Sequence, residues 1–275
     1  MPRKFSFQPY RPGPPRPGPR RPPSERVDGR PDCAGDPPLE FGSLALGVEF
    51  RFDADFARRL ILREVNAKEA CTVRDAAGVY YRASVRELGP GGGVAVPYER
   101  CARPPESELE ITLACAVLAR QRMLLVAQKA VELGVARLVP LLTERSVPLS
   151  GLAHEKAHAW PGQVRRAAKQ CRRSSLPEIR PPARLADFLA GADFTAADAR
   201  LVLDDAAASA PSVPAGMRRV ALIVGPEGGF SDAERLALKE RAQTWNLGGR
   251  VLRAETAVLV GLAAVQTLWG DFRTG

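Results

Sequence analysis

The stretch Val220 to Ala257, VALIVGPEGGFSDAERLALKERAQTWNLGGRVLRAETA, decides how this chain is read. The apolar run Val220–Val224 has the character of a buried parallel strand, because strands covered on both faces lose the polar alternation. The turn Gly225-Pro226-Glu227-Gly228-Gly229 ends it. A helix start follows, with Ser231 as N-cap and Glu234 placed to complete a capping box. A second turn, Leu247-Gly248-Gly249, follows the next short strand and leads through Arg250-Val251-Leu252-Arg253 into Glu255-Thr256-Ala257 and a last apolar helix. Glycine lets backbone approach a ligand closely, and open α/β sheets bind ligands beyond the carboxyl ends of their strands. The residues alone therefore give a ligand loop in an α/β domain, with ordinary strand–helix turns as the plainer alternative.

Working outward, residues from Glu106 alternate strand and helix. Leu109–Leu118 reads as a strand, and Met123–Leu133 as an amphipathic helix closed by Gly134. Arg137–Leu142 is the next strand, and Trp160–Arg173 a basic helix with Pro161 in its first turn. Arg200–Leu203, Val220–Val224 and Trp245–Leu247 are further strands. Glu255–Trp269 is a closing helix, apolar nearly all round, which suits burial or a subunit interface. Leu39 to about Pro104 reads as a small β-rich domain. Phe50 and Phe52 lie on an extended piece, Asp53 or Asp55 caps a short helix, and Ala70–Arg74 pairs with Val79–Leu88. Gly89-Pro90-Gly91-Gly92-Gly93 reads as a loop; without a following Lys-Ser/Thr it is no P-loop.

Residues 1–38 hold twelve prolines and are expected to form a disordered, Pro/Arg-rich tail. Residues 1–30 carry eight basic residues against two acidic ones, a net +6 of the chain's +9. The basic balance therefore says little about the folded part. Five scattered cysteines without a C-x-x-C fit a reducing cytosol. The chain shows neither a secretory leader nor an uncharged apolar stretch of about 18 residues, so neither secretion nor a membrane span is expected. His154-Glu155-Lys156-Ala157-His158 matches H-E-x-x-H, and on a helix both histidines could bind zinc. These are the chain's only two histidines, and Gly151 and Pro161 bracket the motif, so a solvated, charged helix start is the preferred reading and no metal is expected.

GPEGGF-S-x-x-E followed by LG-x-R-x-LR-x-ETA resembles the bacterial 16S ribosomal RNA uridine N3-methyltransferases, members of the knotted SPOUT class of methyltransferases. Further blocks share the likeness. Arg122 with Gln128-Lys129-Ala130-x-Glu132-Leu133-Gly134-Val135 resembles the family's QKATELGV helix. Leu138-x-Pro140 with Glu144-Arg145-Ser146 resembles the strand and loop after it. Trp160, Ala167 to Arg173 and Pro177-x-Ile179 resemble the W…EAAEQSGR…P-x-I segment, and Leu60-Ile61-Leu62-Arg63 more weakly resembles HLxxVLR. The chain departs from the pattern at Leu118-Ala119-Arg120-Gln121, where lysine and glycine are usual. Lys169 replaces a glutamate, Arg172 a glycine, and Arg59 stands near a common histidine.

The resemblance implies a small PUA-like, RNA-binding β-barrel over 39–104 and a trefoil-knotted SPOUT α/β domain over 105–275. It implies a cytoplasmic homodimer that uses S-adenosylmethionine to methylate N3 of a uridine in small-subunit ribosomal RNA. The donor would lie against Leu203, Gly225, Pro226, Glu227, Gly228, Leu247, Gly248, Leu252, Arg253 and Thr256. Arg253 is the candidate positive group near the developing charge, with Glu227 or Glu255 as proton acceptor. Arg63, Lys129, Arg172 and Arg173 are candidates for phosphate contacts. The alternatives are a SPOUT enzyme acting on another RNA, and a non-catalytic RNA-binding assembly factor.

Overall fold

The computed structural model describes residues 34–205 and 211–272. The expected disorder of residues 1–33 lies outside them.

The first part holds β1 (Phe50–Phe52), α1 (Ala54–Leu62), β2 (Ala70–Arg74), β3 (Tyr80–Gly89) and β4 (Gly92–Arg100). The strands form a four-stranded antiparallel sheet in the order β1-β4-β3-β2. Asp53 caps α1, its carboxylate accepting the Phe56 N–H at 2.9 Å. Phe50, Phe52 and Phe56 pack as tilted and edge-on rings over this sheet's own core, an arrangement aromatic quadrupoles favour. The sequence reading missed β4. Gly92 and Gly93, taken as loop, open this strand directly after a tight hairpin turn.

The second part holds β5 (Glu110–Ala116), α2 (Arg120–Glu132), β6 (Val135–Leu142), α3 (Trp160–Gln170), β7 (Glu178–Ile179), β8 (Ala183–Arg184), α4 (Leu185–Ala190), α5 (Ala192–Thr195), β9 (Ala199–Leu203), β10 (Arg219–Val224), α6 (Asp232–Lys239), β11 (Gln243–Trp245) and α7 (Ala254–Trp269). All pairings are parallel, in the order β11-β9-β10-β5-β6-β7, with β8 also on β6. Alternate residues of each central strand serve opposite cores. Leu113, Cys115, Leu201, Val220 and Leu222 meet α2, α3 and α7. Ala114, Val202, Ala221 and Ile223 meet α4, α5 and α6 through Phe188, Phe194 and Leu238. Burial on both faces is what makes Val220–Val224 a continuous apolar run. The predicted capping box at Ser231 and Glu234 is present, and Gly134 ends the α2 turn with φ near +80°.

Two expectations change. The tail ends earlier than position 38, because Asp36 is held by Arg59 at 2.9 Å and by Arg63. The Pro37 and Pro38 carbonyls accept from Arg59 at 2.8 and 3.0 Å. Proline lacks a donor but keeps a carbonyl acceptor, and two guanidiniums order this segment. The H-E-x-x-H stretch is not an α-helix: turns lead to a 3-10 turn at Ala157–Ala159, and Lys156 has a left-handed backbone. The Glu155 carboxylate accepts the Arg120 N–H at 2.6 Å, occupying one of the four unpaired donors that open α2.

Candidate active site

The carboxyl ends of β9, β10 and β11 surround a cavity of about 440 Å³. Leu203 enters from the end of β9. Gly225, Pro226, Glu227 and Gly228 form the turn after β10. Leu247, Gly248, Leu252 and Arg253 come from the segment between β11 and α7. Strand β11 ends at Trp245, two residues earlier than expected, because Asn246 Oδ1 accepts the Gly248 N–H at 2.7 Å and turns the chain back.

Gly225 is required by space. A Cβ there would come within 2.9 Å of the Phe230 ring, which lines the same cavity. Behind Leu203, a Cβ on Gly261 of α7 would come within 2.7 Å of Leu203 Cδ1, so the absence of a side chain lets the helix seat against that leucine.

Nine of the ten predicted donor residues line the cavity; Thr256 does not. With Arg253 as the α7 N-cap, the i and i+3 positions Ala254 and Ala257 face inward, and Thr256 is exposed. Glu255 is also turned aside. Its side chain is 13% exposed, and Oε1 lies 3.8 Å from Arg122 Nε. Arg122 pairs with Glu227 at the same time, and that carboxylate pushes the guanidinium pKa up. Arg122 thus ties the glycine turn to the start of α7. The sequence reading quoted it only as part of a motif, and nothing in the helix periodicity names its partners. Arg253 is exposed, lines the cavity and makes no ion pair among the described residues.

Residues 105–266, more than half of the chain, match the family model for an RNA methyltransferase domain. The chain belongs to the RNA methyltransferase domain family. It is 32% identical over 175 residues to the ribosomal RNA small subunit methyltransferase E of Mesomycoplasma hyopneumoniae (strain 232), covering 62% of this chain and 76% of that protein. A ribosomal RNA small subunit methyltransferase E structure from Neisseria gonorrhoeae, bound to S-adenosyl methionine, superposes with a TM-score of 0.61 at 29% identity, covering 86% of this chain and 99% of that one. A putative methyltransferase from Legionella pneumophila, in complex with the bound cofactor SAM, gives 0.59 at 30% identity, covering 86% and 99%.

Within this methyltransferase frame, the four phosphate candidates do not gather at the cavity. Arg63 and Arg173 lie in the joint between the antiparallel sheet and the parallel one. Arg63 donates to the Ser174 carbonyl at 3.1 Å and pairs with Asp36. Burial lowers its pKa more than that pairing raises it. Arg173 reaches Glu106 at 2.9 Å and donates to the Val135 carbonyl at 2.7 Å, with 7% of its side chain exposed. Glu106 accepts the Ser174 and Ser175 N–H groups, each at 2.8 Å. A guanidinium so enclosed is not available to a phosphate, so both are corrected to structural ties. Lys129 pairs with Glu132 at 2.8 Å along its own helix. Arg172 is exposed, but it stands in the same joint with a left-handed backbone, its carbonyl accepting from Thr72 Oγ1 at 2.7 Å.

Among the described residues, no group of three or more His, Cys, Asp or Glu could hold a metal ion. No helix among them is long and apolar enough to cross a membrane.

Proposed function

We propose that this chain transfers a methyl group from S-adenosylmethionine to N3 of a uridine in small-subunit ribosomal RNA. The observation that carries the reading is the convergence of both glycine turns and the end of β9 on one cavity. Its residues suit the donor. Leu203, Leu247 and Leu252 offer apolar faces to an adenine, backbone groups of the turns can meet its polar edges, and Asp204, Asp205 and Glu227 supply negative charge for a cationic ligand. The donor, when bound, supplies a methyl group on a positively charged sulfur.

Uridine N3 attacks well only after losing its proton. Arg253 at the cavity favours the anionic base, the type of preorganised charge that lowers a barrier most. Glu227, which lines the cavity and is held in place by Arg122, is assigned as the proton acceptor. Glu255, turned toward Arg122, has a supporting place behind it. The walls hold base and donor in line, which contributes through orientation.

The assembly belongs to the same proposal. The chain runs from β11 past the β9 end, where Asn246 Nδ2 donates to the Asp205 carbonyl at 2.9 Å, and only then enters α7 on the α2 side. This return supports a trefoil knot. Exposed Leu125, Val251, Val260 and Leu268 support a homodimer formed around α7. The antiparallel sheet over 39–104 is assigned as the PUA-like RNA-binding domain.

The test is transfer of radiolabelled methyl from S-adenosylmethionine to small ribosomal subunits that lack their native base methylations. Nucleoside analysis showing 3-methyluridine is expected. Donor binding by calorimetry without transfer to these subunits would redirect the reading to another RNA. Absence of both would leave an RNA-binding assembly factor.

A further inference from the structure

The glycine turn carries two guanidiniums with no part in the reaction as set out above. Arg145, in the loop after β6, donates from Nη1 to the Gly228 carbonyl at 3.0 Å. Arg235, on α6, donates from Nε to the Phe230 carbonyl at 3.2 Å and lines the cavity. Both partners are neutral backbone carbonyls. A guanidinium has five N–H donors and stays charged. Each of these therefore keeps its full positive charge and most of its donors, while the backbone bond holds it in place.

A third guanidinium, Arg250, lines the cavity from the loop after β11 and is exposed. Arg145, Arg235 and Arg250 make no ion pair among the described residues. Glu227, the carboxylate of the same turn, is already matched by Arg122. These three guanidiniums thus stand beside the cavity without an ion-pair partner, Arg145 through its bond to Gly228 of the lining, whereas the joint arginines Arg59, Arg63 and Arg173 are each paired with a carboxylate.

We propose that Arg145, Arg235 and Arg250 form a phosphate-binding rim that seats the RNA backbone on either side of the base entering the cavity. The proposal rests on the reading of this cavity as an RNA-methylating centre. Phosphate contacts fix register without reading sequence, and here they set the target base over the donor. The rim also supplies the contacts that Arg63 and Arg173, enclosed in the joint, do not make.

Salt dependence tests it. The full chain is titrated with deproteinised small-subunit ribosomal RNA across a range of salt concentrations, and log affinity is plotted against log salt. Each phosphate contact removed from a single-stranded segment lowers the slope by about 0.7. Arg145→Ala and Arg250→Ala are each expected to lower it by about that amount and to raise KM for RNA with a smaller change in kcat. Arg145→Lys, which keeps a point charge, restores the slope. Arg219→Ala, exposed at the amino end of β10 and away from the cavity, keeps the wild-type slope. Calorimetry with S-adenosylmethionine alone is run beside it. Wild-type slopes and KM in Arg145→Ala and Arg250→Ala overturn the rim, as does wild-type RNA affinity that does not respond to salt. Loss of donor binding by the unmodified protein instead sinks the methyltransferase reading, and the slopes still judge the rim.

Discussion

Arginine serves two opposite ends in this molecule. In the joint between the two sheets, Arg63 and Arg173 are enclosed, paired with Asp36 and Glu106, and surrounded by backbone carbonyls. At the cavity, Arg250 and Arg253 are exposed and carry no carboxylate partner among the described residues. The same side chain is a structural tie in one place and a reserve of charge in the other. What separates them is the acceptors each meets, and those come from segments far away in the chain.

The sharpest way to break the contrast is to truncate a joint arginine. Arg173→Ala leaves Glu106 largely buried beside the space it vacates, and breaking such a pair costs about 3–5 kcal/mol. Urea unfolding should show that loss, and a shift below about 1 kcal/mol would remove the structural role. Arg253→Ala should do the reverse. Methyl transfer falls about 100-fold, the order expected when one preorganised donor is lost, while the unfolding midpoint stays in place. A fully active Arg253→Ala protein would end its assignment.

Gly225→Ala probes the cavity alone. The added carbon meets the Phe230 ring and displaces it or the turn, so calorimetry should show donor affinity weakened about tenfold, equal to about 1.4 kcal/mol. The smallest effects concern the thiols. Burial pushes Cys71 and Cys115 up to about 12 from 9.0. The folded protein should therefore resist alkylation of these two at pH 8, read by peptide mass. Because the folded value lies above the unfolded one, the stability these thiols contribute is intact below pH 9 and declines as pH rises from there toward 12. Rapid labelling of either in the native state would contradict their burial.

The sequence made the parallel sheet legible because its strands are apolar throughout and its helices carry their own stop signals, such as Gly134 and the Ser231 cap. The two glycine turns that line the cavity were legible for the same reason: glycine, proline and a cap mark a turn without help from distant residues. Strand β4 was hidden because its opening glycines resemble a loop, and only pairing with β1 and β3 makes them strand. Arg122, Arg145 and Arg235 were not legible as site residues. Each acts through a partner set by how β6, β10, α2 and α6 are laid side by side, and no spacing within one segment records that. Thr256 and Glu255 fall outside the cavity lining for a different reason. Their neighbours Ala254 and Ala257 turn inward, and a one-residue change of helical phase separates a wall from a bystander.

The seat of α7 against Leu203 bears on substrate selection. Because a leucine methyl occupies the notch that Gly261 leaves, the position of the helix sets the depth of the chamber on the β9 side. Any side chain at 261 would press Leu203 toward the cavity and shorten that chamber, although Gly261 itself does not line it. Gly261→Ala should consequently discriminate by size, disfavouring donor analogues enlarged on the face that meets Leu203 more than the natural donor. Competition binding with a graded analogue series measures that ratio, and an unchanged ratio would show that the helix and the chamber are adjusted independently.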